Sequence, residues 1–272
     1  IIIPIYCENR NTINLCNELQ NFGAEHIVVV NDGLNPKSEY FNELTSIGCH
    51  LVHLKNNNGK GASLKAGIKY AHDNLYNITG YITCDADGQH TANDVMKISR
   101  MLDLRNGSLI LGKRDYKKSK MPINIRIGNR LSSAYFKVIT GKSCRDTQTG
   151  LRGIPAFLYD TVMKTKGSRF DFEMNFLTKC ADMRVPFYFV NIIADCSNCS
   201  SNFRLIKDTY LIYRTPLRFA TASIGCTIID LVLFTIFAYI LPSHMFFNIM
   251  LATLMARVVS GGINFLINRK VI

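Results

Sequence analysis

The chain of 272 residues has no tryptophan, only seven prolines, and neither of the glycine-rich fingerprints that mark the common nucleotide sites. The Walker pattern G-x-x-x-x-G-K-[ST] is absent, which excludes a P-loop NTPase, and so is the Rossmann G-x-G-x-x-G of dinucleotide binding. The nine cysteines lack framework spacing, so a disulfide-stapled scaffold is not expected and a reducing compartment is. Cys196 and Cys199 form a single Cys-x-x-Cys, weak support for zinc or redox chemistry. No signal peptide and no long repeat is visible. Ile1 is not a methionine and already reads as strand, so the sequence is expected to be clipped at its start. Acidic residues run short in one region: residues 1–90 carry six Lys/Arg and nine Asp/Glu, whereas residues 91–216 carry twenty-two against ten. The net charge of +12 therefore sits in the middle of the chain and points to an anionic partner there. That stretch abuts two long apolar segments, so phosphate at a membrane surface is the expected partner and nucleic acid is less expected.

Short apolar runs are plentiful. Ile1 to Tyr6, His26 to Val30, Cys49 to Leu54, Tyr81 to Cys84, Ser108 to Gly112 and Val185 to Ile193 read as buried strands. Asn11 to Phe22, Ser38 to Ile47, Ala62 to Leu75 and a segment capped by Thr91 and running to about Leu104 have helical spacing. This alternation predicts an α/β domain with a mostly parallel sheet. Glu8, Asp32, Asp85 and Asp87 each follow an apolar run, and in a parallel sheet those ends share one edge. Asp85 and Asp87 stand one residue apart in Tyr-Ile-Thr-Cys-Asp-Ala-Asp-Gly-Gln-His, residues 81–90. Two such carboxylates need a partner, and a hard divalent cation bridging protein and diphosphate is the natural one. The plainer reading of an isolated Asp-x-Asp is a β-turn with a solvated carboxylate. Asp32 can accept from a ribose hydroxyl or base edge, and Lys60, in Gly59-Lys60-Gly61 at a helix start, suits phosphate.

Beyond the sheet, Asp115 to Lys120 is a lysine-rich loop and Ile123 to Thr140 a helix. Ile127, Leu131, Ala134, Tyr135 and Val138 form its apolar face, and Arg126, Arg130, Ser133 and Lys137 a second stripe. That stripe is either a solvated face or a grip for phosphate. Asp146 to Arg152 is too dense in polar groups for a plain connector, and Asp171 can cap a helix beginning at Phe170. Ser201 to Arg214 reads as an amphipathic helix at a membrane interface, with a core helix as the competing view. Phe219 to Leu241 and Met245 to Ile267 each hold one charge, Asp230 and Arg257, and each can cross a bilayer core of about 30 Å at ~1.5 Å per residue. Arg214, Arg218, Arg269 and Lys270 flank the outer ends, which places the sheet domain on the cytoplasmic side of a multi-pass cell-membrane protein. Asp230 and Arg257 fall at similar depth and are expected to pair, or else to face helices outside this sequence. The expected layout is a sheet domain at 1–200, an interface segment at 201–216 and a two-span membrane domain at 217–272.

The chain resembles the family 2 glycosyltransferases of the dolichyl- and undecaprenyl-phosphate type. The resemblance is carried by Pro4-x-Tyr6-x-Glu8-Asn9, Asn31-Asp32-Gly33, Asn58-Gly59-Lys60-Gly61, Asp85-Ala86-Asp87-Gly88-Gln89-His90, Gly112-Lys113-Arg114 and Asp146-Thr147-Gln148-Thr149-Gly150-Leu151-Arg152. Arg257, Asn264-Phe265 and Asn268-Arg269 are similar to the GtrA-type membrane domain, which usually has four spans, so the sequence is expected to be clipped at its end as well. The resemblance implies a GT-A fold, a Mg²⁺ or Mn²⁺ cofactor, and inverting transfer of one sugar from a nucleotide-sugar to a polyprenyl phosphate, undecaprenyl or dolichyl. It places Pro4, Tyr6, Glu8, Asp32, Lys60 and Asp85 at the donor, and Asp85, Asp87 and Gln89 around the metal. Arg126, Arg130 and Ser133 fall to the acceptor phosphate, and Asp87, Arg114 and Asp146 to catalysis, Asp146 as a candidate base. The lipid bilayer is an expected partner, and a homo-oligomer fits the bundled spans of relatives. Relatives often carry leucine at Gly88, which implies a looser turn here. A processive polysaccharide synthase would carry Gln-x-x-Arg-Trp, and this chain has no tryptophan. The remaining alternative is a non-catalytic membrane protein whose sheet domain only binds nucleotide or a partner.

Overall fold

The structure, a computed structural model, describes residues 1–115, 123–194, 205–241 and 246–269, the side chains of 124, 205–220, 246 and 267–268 excepted. The chain forms two units, Ile1–Arg204 and Leu205–Ile272.

In the first unit, seven strands make one sheet: β1 (Ile2–Ile5), β2 (Val28–Asp32), β3 (His50–Leu54), β4 (Gly80–Thr83), β5 (Leu109–Arg114), β6 (Arg152–Pro155) and β7 (Phe187–Ile192). Their spatial order is β3-β2-β1-β4-β6-β5-β7. All neighbours run parallel except β6, which lies antiparallel between β4 and β5, with Ile82 opposite Gly153 and Leu111 opposite Arg152. β1 and β2 are buried at every position, as continuous Ile and Val runs require when both faces of a sheet are covered. Helices α1 (Arg10–Asn21), α2 (Glu39–Ser46), α3 (Lys60–Asn74) and α4 (Ala92–Leu104) connect the early strands. Asn9, Ser38 and Thr91 cap α1, α2 and α4 through side-chain oxygens. Helix α5 (Ile123–Thr140) leads to β6, and α6 (Tyr159–Lys164) and α7 (Phe170–Asp182) to β7. One face of the sheet packs Ile3, Ile5, Val29, Ile82 and Ile110 against Ile13, Leu19, Val95 and Ile98.

β6 is a strand that the sequence does not announce, because its four residues include Gly153 and Pro155 and show no alternation. Its reversed direction brings the residues before it, Asp146 to Leu151, to the edge where β1, β2, β4 and β5 end. Helix α5 also departs from expectation. Its core-facing residues are Asn129, Ser132 and Phe136, while Ile127, Leu131 and Val138 of the expected apolar face are exposed. Asn129 and Ser132 can go inside because Thr147 and Arg145 bond to them. Asp171 is not a helix cap: Arg169 holds that position, and Asp171 sits in the first turn, accepting from the Arg169 amide at 3.0 Å.

The second unit contains α8 (Leu205–Ile240) and α9 (Phe246–Arg269). Thr221–Ile240 and Phe247–Leu266 are long and apolar enough to cross a membrane. Helix α8 is continuous from Leu205, without a break between an interface helix and a span, and the amphipathic face expected over Ser201 to Arg214 lies outside the described side chains. The lysine-rich loop from 116 onward and the Cys196/Cys199 pair also lie outside the described residues. Small side chains, Cys226, Ala252, Ala256 and Ser260, are buried between the helices. The expected Asp230–Arg257 pair is not formed. Ser260 Oγ donates to Asp230 Oδ1 at 2.8 Å, and Arg257 is exposed. Equal depth along two helices does not fix which residue faces the partner.

Candidate active site

At the carboxyl edge of the sheet, β4 ends at Thr83 and the next residues carry the Asp85/Asp87 pair. Thr12 Oγ1 ties this loop to α1 by donating to the Ala86 carbonyl at 3.1 Å. Gly88 adopts φ +85°, and a Cβ there would stand 2.7 Å from Asn11 Nδ2. The turn is therefore tight and asks for glycine, in contrast to the looser turn the resemblance implied. Asp87 Oδ1 accepts from the Gln89 amide at 3.2 Å, and its Oδ2 from Gln89 Nε2, so these two expected ligands already lie together.

Asp85 has a different environment. Its Oδ1 is 2.6 Å from Lys60 Nζ, which is also 3.1 Å from Glu173 Oε1 on α7. Lys60, expected to face phosphate, is thus clamped between two carboxylates. Burial would lower its pKa, but Asp85 and Glu173 outweigh that and raise it. For Asp85, burial works upward and Lys60 downward, and the ammonium wins, holding the carboxyl well below its usual range. Asp87 goes the other way, pushed up by burial and by the Asp85 charge. His90 is buried, neither ring nitrogen has a hydrogen-bond partner, and Nε2 stands 3.7 Å from Asp85 Oδ2.

The segment before β6 closes over this loop. Thr83 Oγ1 donates to the Gly150 carbonyl at 2.8 Å, and Gly150 lies so close to Asp85 that any Cβ would fall inside its carboxylate. Asp146 is fully buried and takes Arg114 in a two-pronged pair, Nε and Nη2 each at 2.7 Å, with the Arg114 amide at 3.2 Å. Both oxygens of the candidate base are thereby engaged. Arg152 staples the segment through the carbonyls of Thr149, Thr147 and Glu173 at 2.9, 3.1 and 3.0 Å.

Asp32, at the end of β2, is buried and accepts from the amides of Asn58 and Gly59 at 2.8 and 2.9 Å, so it orders the turn that delivers Lys60. Pro4 is buried within β1 and Glu8 is exposed beyond it. Burial, Cys7 and Asp87 push the Tyr6 hydroxyl up to about 12, leaving it a neutral donor. On α5, Arg126 and Arg130 are exposed, and Ser133 Oγ is buried without a hydrogen-bond partner. The structure therefore assembles Asp85, Asp87, Gln89 and Lys60 directly, holds Arg114 at the end of β5 paired with Asp146, and connects α5 to them through Asn129, Ser132 and Thr147. Glu173, His90 and Gly150 were not singled out as site residues in the sequence. The Phe-Asp-Phe-Glu run that carries Glu173 was visible, but its contact with Lys60 spans more than a hundred residues.

The donor set suits a hard divalent cation: two carboxylates whose mutual repulsion a cation would relieve, and an amide oxygen. Among the described residues no group of three or more His, Cys, Asp or Glu has metal-holding geometry. A cation here would complete its shell with ligand or water oxygens, as Mg²⁺ sites at phosphates do.

Comparison with known proteins gives a consistent result. The profile described as "Glycosyl transferase family 2" matches residues 1–160. An uncharacterised protein of Methanocaldococcus jannaschii is 32% identical over 188 residues, covering 65% of this chain and 73% of its own. The UDP-N-acetylglucosamine–dolichyl-phosphate N-acetylglucosaminyltransferase of Methanococcus voltae is 29% identical, covering 56% and 67%. Glycosyltransferase AglJ of Haloferax volcanii is 26% identical, covering 66% and 57%. Among solved structures, glucosyl-3-phosphoglycerate synthase of Mycobacterium tuberculosis, in complex with Mn²⁺, UDP-glucose and phosphoglyceric acid, superposes with a TM-score of 0.56 at 11% identity, covering 80% of this chain and 76% of that one. That likeness shows the fold, which is of the GT-A type with two apolar helices following it.

Proposed function

The chain belongs to glycosyl transferase family 2, and on that premise we propose that it moves one sugar from a nucleotide-sugar to a polyprenyl phosphate at the cytoplasmic face of a membrane. The observation that carries this reading is the Asp85–Gln89 loop, two carboxylates and an amide at a sheet edge beside Lys60. The dolichyl-phosphate acceptor named for the M. voltae relative supports the lipid side. Asp85, Asp87 and Gln89 would hold Mg²⁺ or Mn²⁺, which when bound supplies positive charge to the departing diphosphate. Tyr6, Glu8 and Asp32 border the nucleotide. Arg126, Arg130 and Ser133 receive the lipid phosphate, for which the unpartnered Ser133 Oγ is suited.

The reaction is a single displacement. A phosphate oxygen of the lipid bonds to the anomeric carbon as the bond from that carbon to the diphosphate breaks, with inversion, and the nucleoside diphosphate leaves with the electron pair. The acceptor is already an anion at neutral pH, so no general base is needed, and positioning and charge neutralisation supply the rate. Asp146 is assigned the task of aiming Arg114. Helices α8 and α9 hold the enzyme at the membrane as two spans, of a kind similar to a GtrA-type domain. We read the layout as a catalytic domain over 1–200, an interface segment at 201–216 and a membrane domain at 217–272.

The test uses the purified full chain, a short polyprenyl phosphate and, in turn, UDP-N-acetylglucosamine, UDP-glucose and GDP-mannose. With one donor, nucleoside diphosphate is released only when both lipid phosphate and a divalent cation are present. Release that ignores the lipid, or that persists in excess chelator, overturns the proposal, as does no release with any donor.

A further inference from the structure

We propose that the Lys60 ammonium competes with a divalent cation for Asp85, and that Glu173 is the positioning residue that draws Lys60 away. Glu173 thereby sets the affinity of the Asp85–Asp87 loop for metal without being a ligand. This rests on the reading of Asp85 and Asp87 as metal-holding groups and adds the groups that control them.

Two carboxylates share one ammonium, and they share it unequally. Lys60 Nζ lies 2.6 Å from Asp85 Oδ1 and 3.1 Å from Glu173 Oε1, in a place where the three side chains are only 17%, 17% and 10% exposed. Glu173 Oε1 is buried and, although it faces the ammonium, accepts no hydrogen bond. A buried acceptor left unfilled is costly, so Glu173 offers Lys60 a second position that improves as the ammonium approaches. Arg152 Nη2, at 3.8 Å, is the other cation facing that oxygen.

The frame around the three groups is rigid. Lys60 opens α3 and Glu173 lies in the first turn of α7. The Ala62 amide donates to the Ser168 carbonyl at 2.9 Å, and a Cβ on Gly61 would stand 2.5 Å from Phe172 Cβ, so the two helix starts are locked together. Gly150 hems in Asp85. The flexible four-carbon stem of Lys60 is therefore the part able to move. Two cations drawn to one carboxylate repel each other, so loading Asp85 with a metal ion requires the ammonium to retreat. Without Glu173 that retreat strands a charge in a mostly buried place. Among the described residues no group of three or more His, Cys, Asp or Glu can hold a metal, which fits Glu173 acting through Lys60 rather than as a third carboxylate ligand.

The test measures Mn²⁺ binding to the full chain without donor or acceptor, from the loss of the free-ion electron paramagnetic resonance signal. Parent, Lys60→Gln, Glu173→Gln and the double variant are compared, with Asp87→Asn as control for the site and thermal midpoints as control for folding. Glu173→Gln is expected to weaken Mn²⁺ binding by roughly tenfold and Lys60→Gln to tighten it by roughly tenfold, an ordinary coupling between groups in contact. Once Lys60 is replaced, Glu173→Gln has no further effect. Failure of Lys60→Gln to tighten binding overturns the competition, and this variant decides the matter alone if Glu173→Gln does not fold. Equal weakening by Glu173→Gln in both backgrounds means that Glu173 acts on the cation directly, which overturns the part given to Lys60. Weaker binding in both single variants together with lowered thermal midpoints marks a structural role and overturns the proposal as well. A parent that binds no Mn²⁺, or binds it as well after Asp87→Asn, is a failure of the metal reading itself. A parent that binds Mn²⁺ through Asp87 but lacks the opposite signs loses only the competition.

Discussion

Asp85 stands 2.6 Å from a half-buried ammonium and Asp146 is enclosed by a guanidinium, whereas on α5 Arg130 and Lys137 extend from an exposed helix face. The two walls of the candidate site thus handle charge in opposite ways. On the carboxylate wall Asp85 is half-buried and fixed by partners from distant parts of the chain: Lys60 from α3, with Glu173 from α7 behind it, and Gly150 from the segment before β6. Removing one partner leaves another charge stranded, which is costly at such sites. On the α5 wall Arg130 and Lys137 are exposed side chains on a helix whose inner face is tied down by Asn129 and Ser132, so water rather than packing surrounds them. A rigid wall suits a small donor whose bond must break at one place. An adjustable one suits a phosphate on a lipid that moves with its bilayer.

The most severe break in that contrast is Asp87→Asn. If Asp87 holds the metal as proposed, its loss is expected to lower kcat by on the order of 10²–10³-fold, comparable to loss of one strong electrostatic contact in other active sites. Stability should move little or even rise when metal is withheld, because burial and Asp85 already disfavour the Asp87 charge. Turnover and thermal midpoint measured side by side test both halves, and an unchanged kcat would remove Asp87 from the mechanism.

Gly150→Ala should come next. Its methyl group would occupy the space of the Asp85 carboxylate, so Asp85 must shift and with it the Lys60 contact. Displacement of about 1 Å at a reacting centre can cost on the order of 10²-fold, and overpacking of this kind costs about 1–3 kcal/mol of stability. The distinguishing readout is metal affinity measured by titration without substrate. A variant with normal kcat and normal metal affinity would show that Asp85 has slack that the structure denies it.

Much of the carboxylate wall was legible in the sequence, because each short apolar run ends where its polar residues begin and a parallel sheet collects those ends. Thr91 as a cap and Asp85 and Asp87 at a strand end follow from local pattern alone. What could not be read is long-range. The clamp on Lys60 escaped because nothing nearby in sequence discloses Glu173. β6 escaped because Arg152–Pro155 has neither the length nor the alternation of a strand, yet its reversed direction is what brings Gly150 and Asp146 to the site. Helix α5 was assigned the wrong inner face for a related reason: apolar periodicity points to the core only when the core is the nearest apolar medium, and Asn129 and Ser132 go inside because Thr147 and Arg145 meet them there.

The mildest change sharpens the comparison most. Arg130→Gln removes one exposed cation from α5 without opening a cavity or stranding a buried partner, so stability should stay within about 0.5 kcal/mol of the parent. If the α5 wall receives the lipid phosphate, kcat/KM for the polyprenyl phosphate should fall by roughly tenfold, about 1.4 kcal/mol, chiefly through KM, while KM for the nucleotide-sugar is unchanged. Raising ionic strength should narrow the gap between parent and variant, because an exposed charge is screened by salt and a buried pair such as Arg114–Asp146 is not. A fall in kcat with both KM values preserved would instead place Arg130 at the reacting centre, and the division into a rigid donor wall and an adjustable acceptor wall would fail.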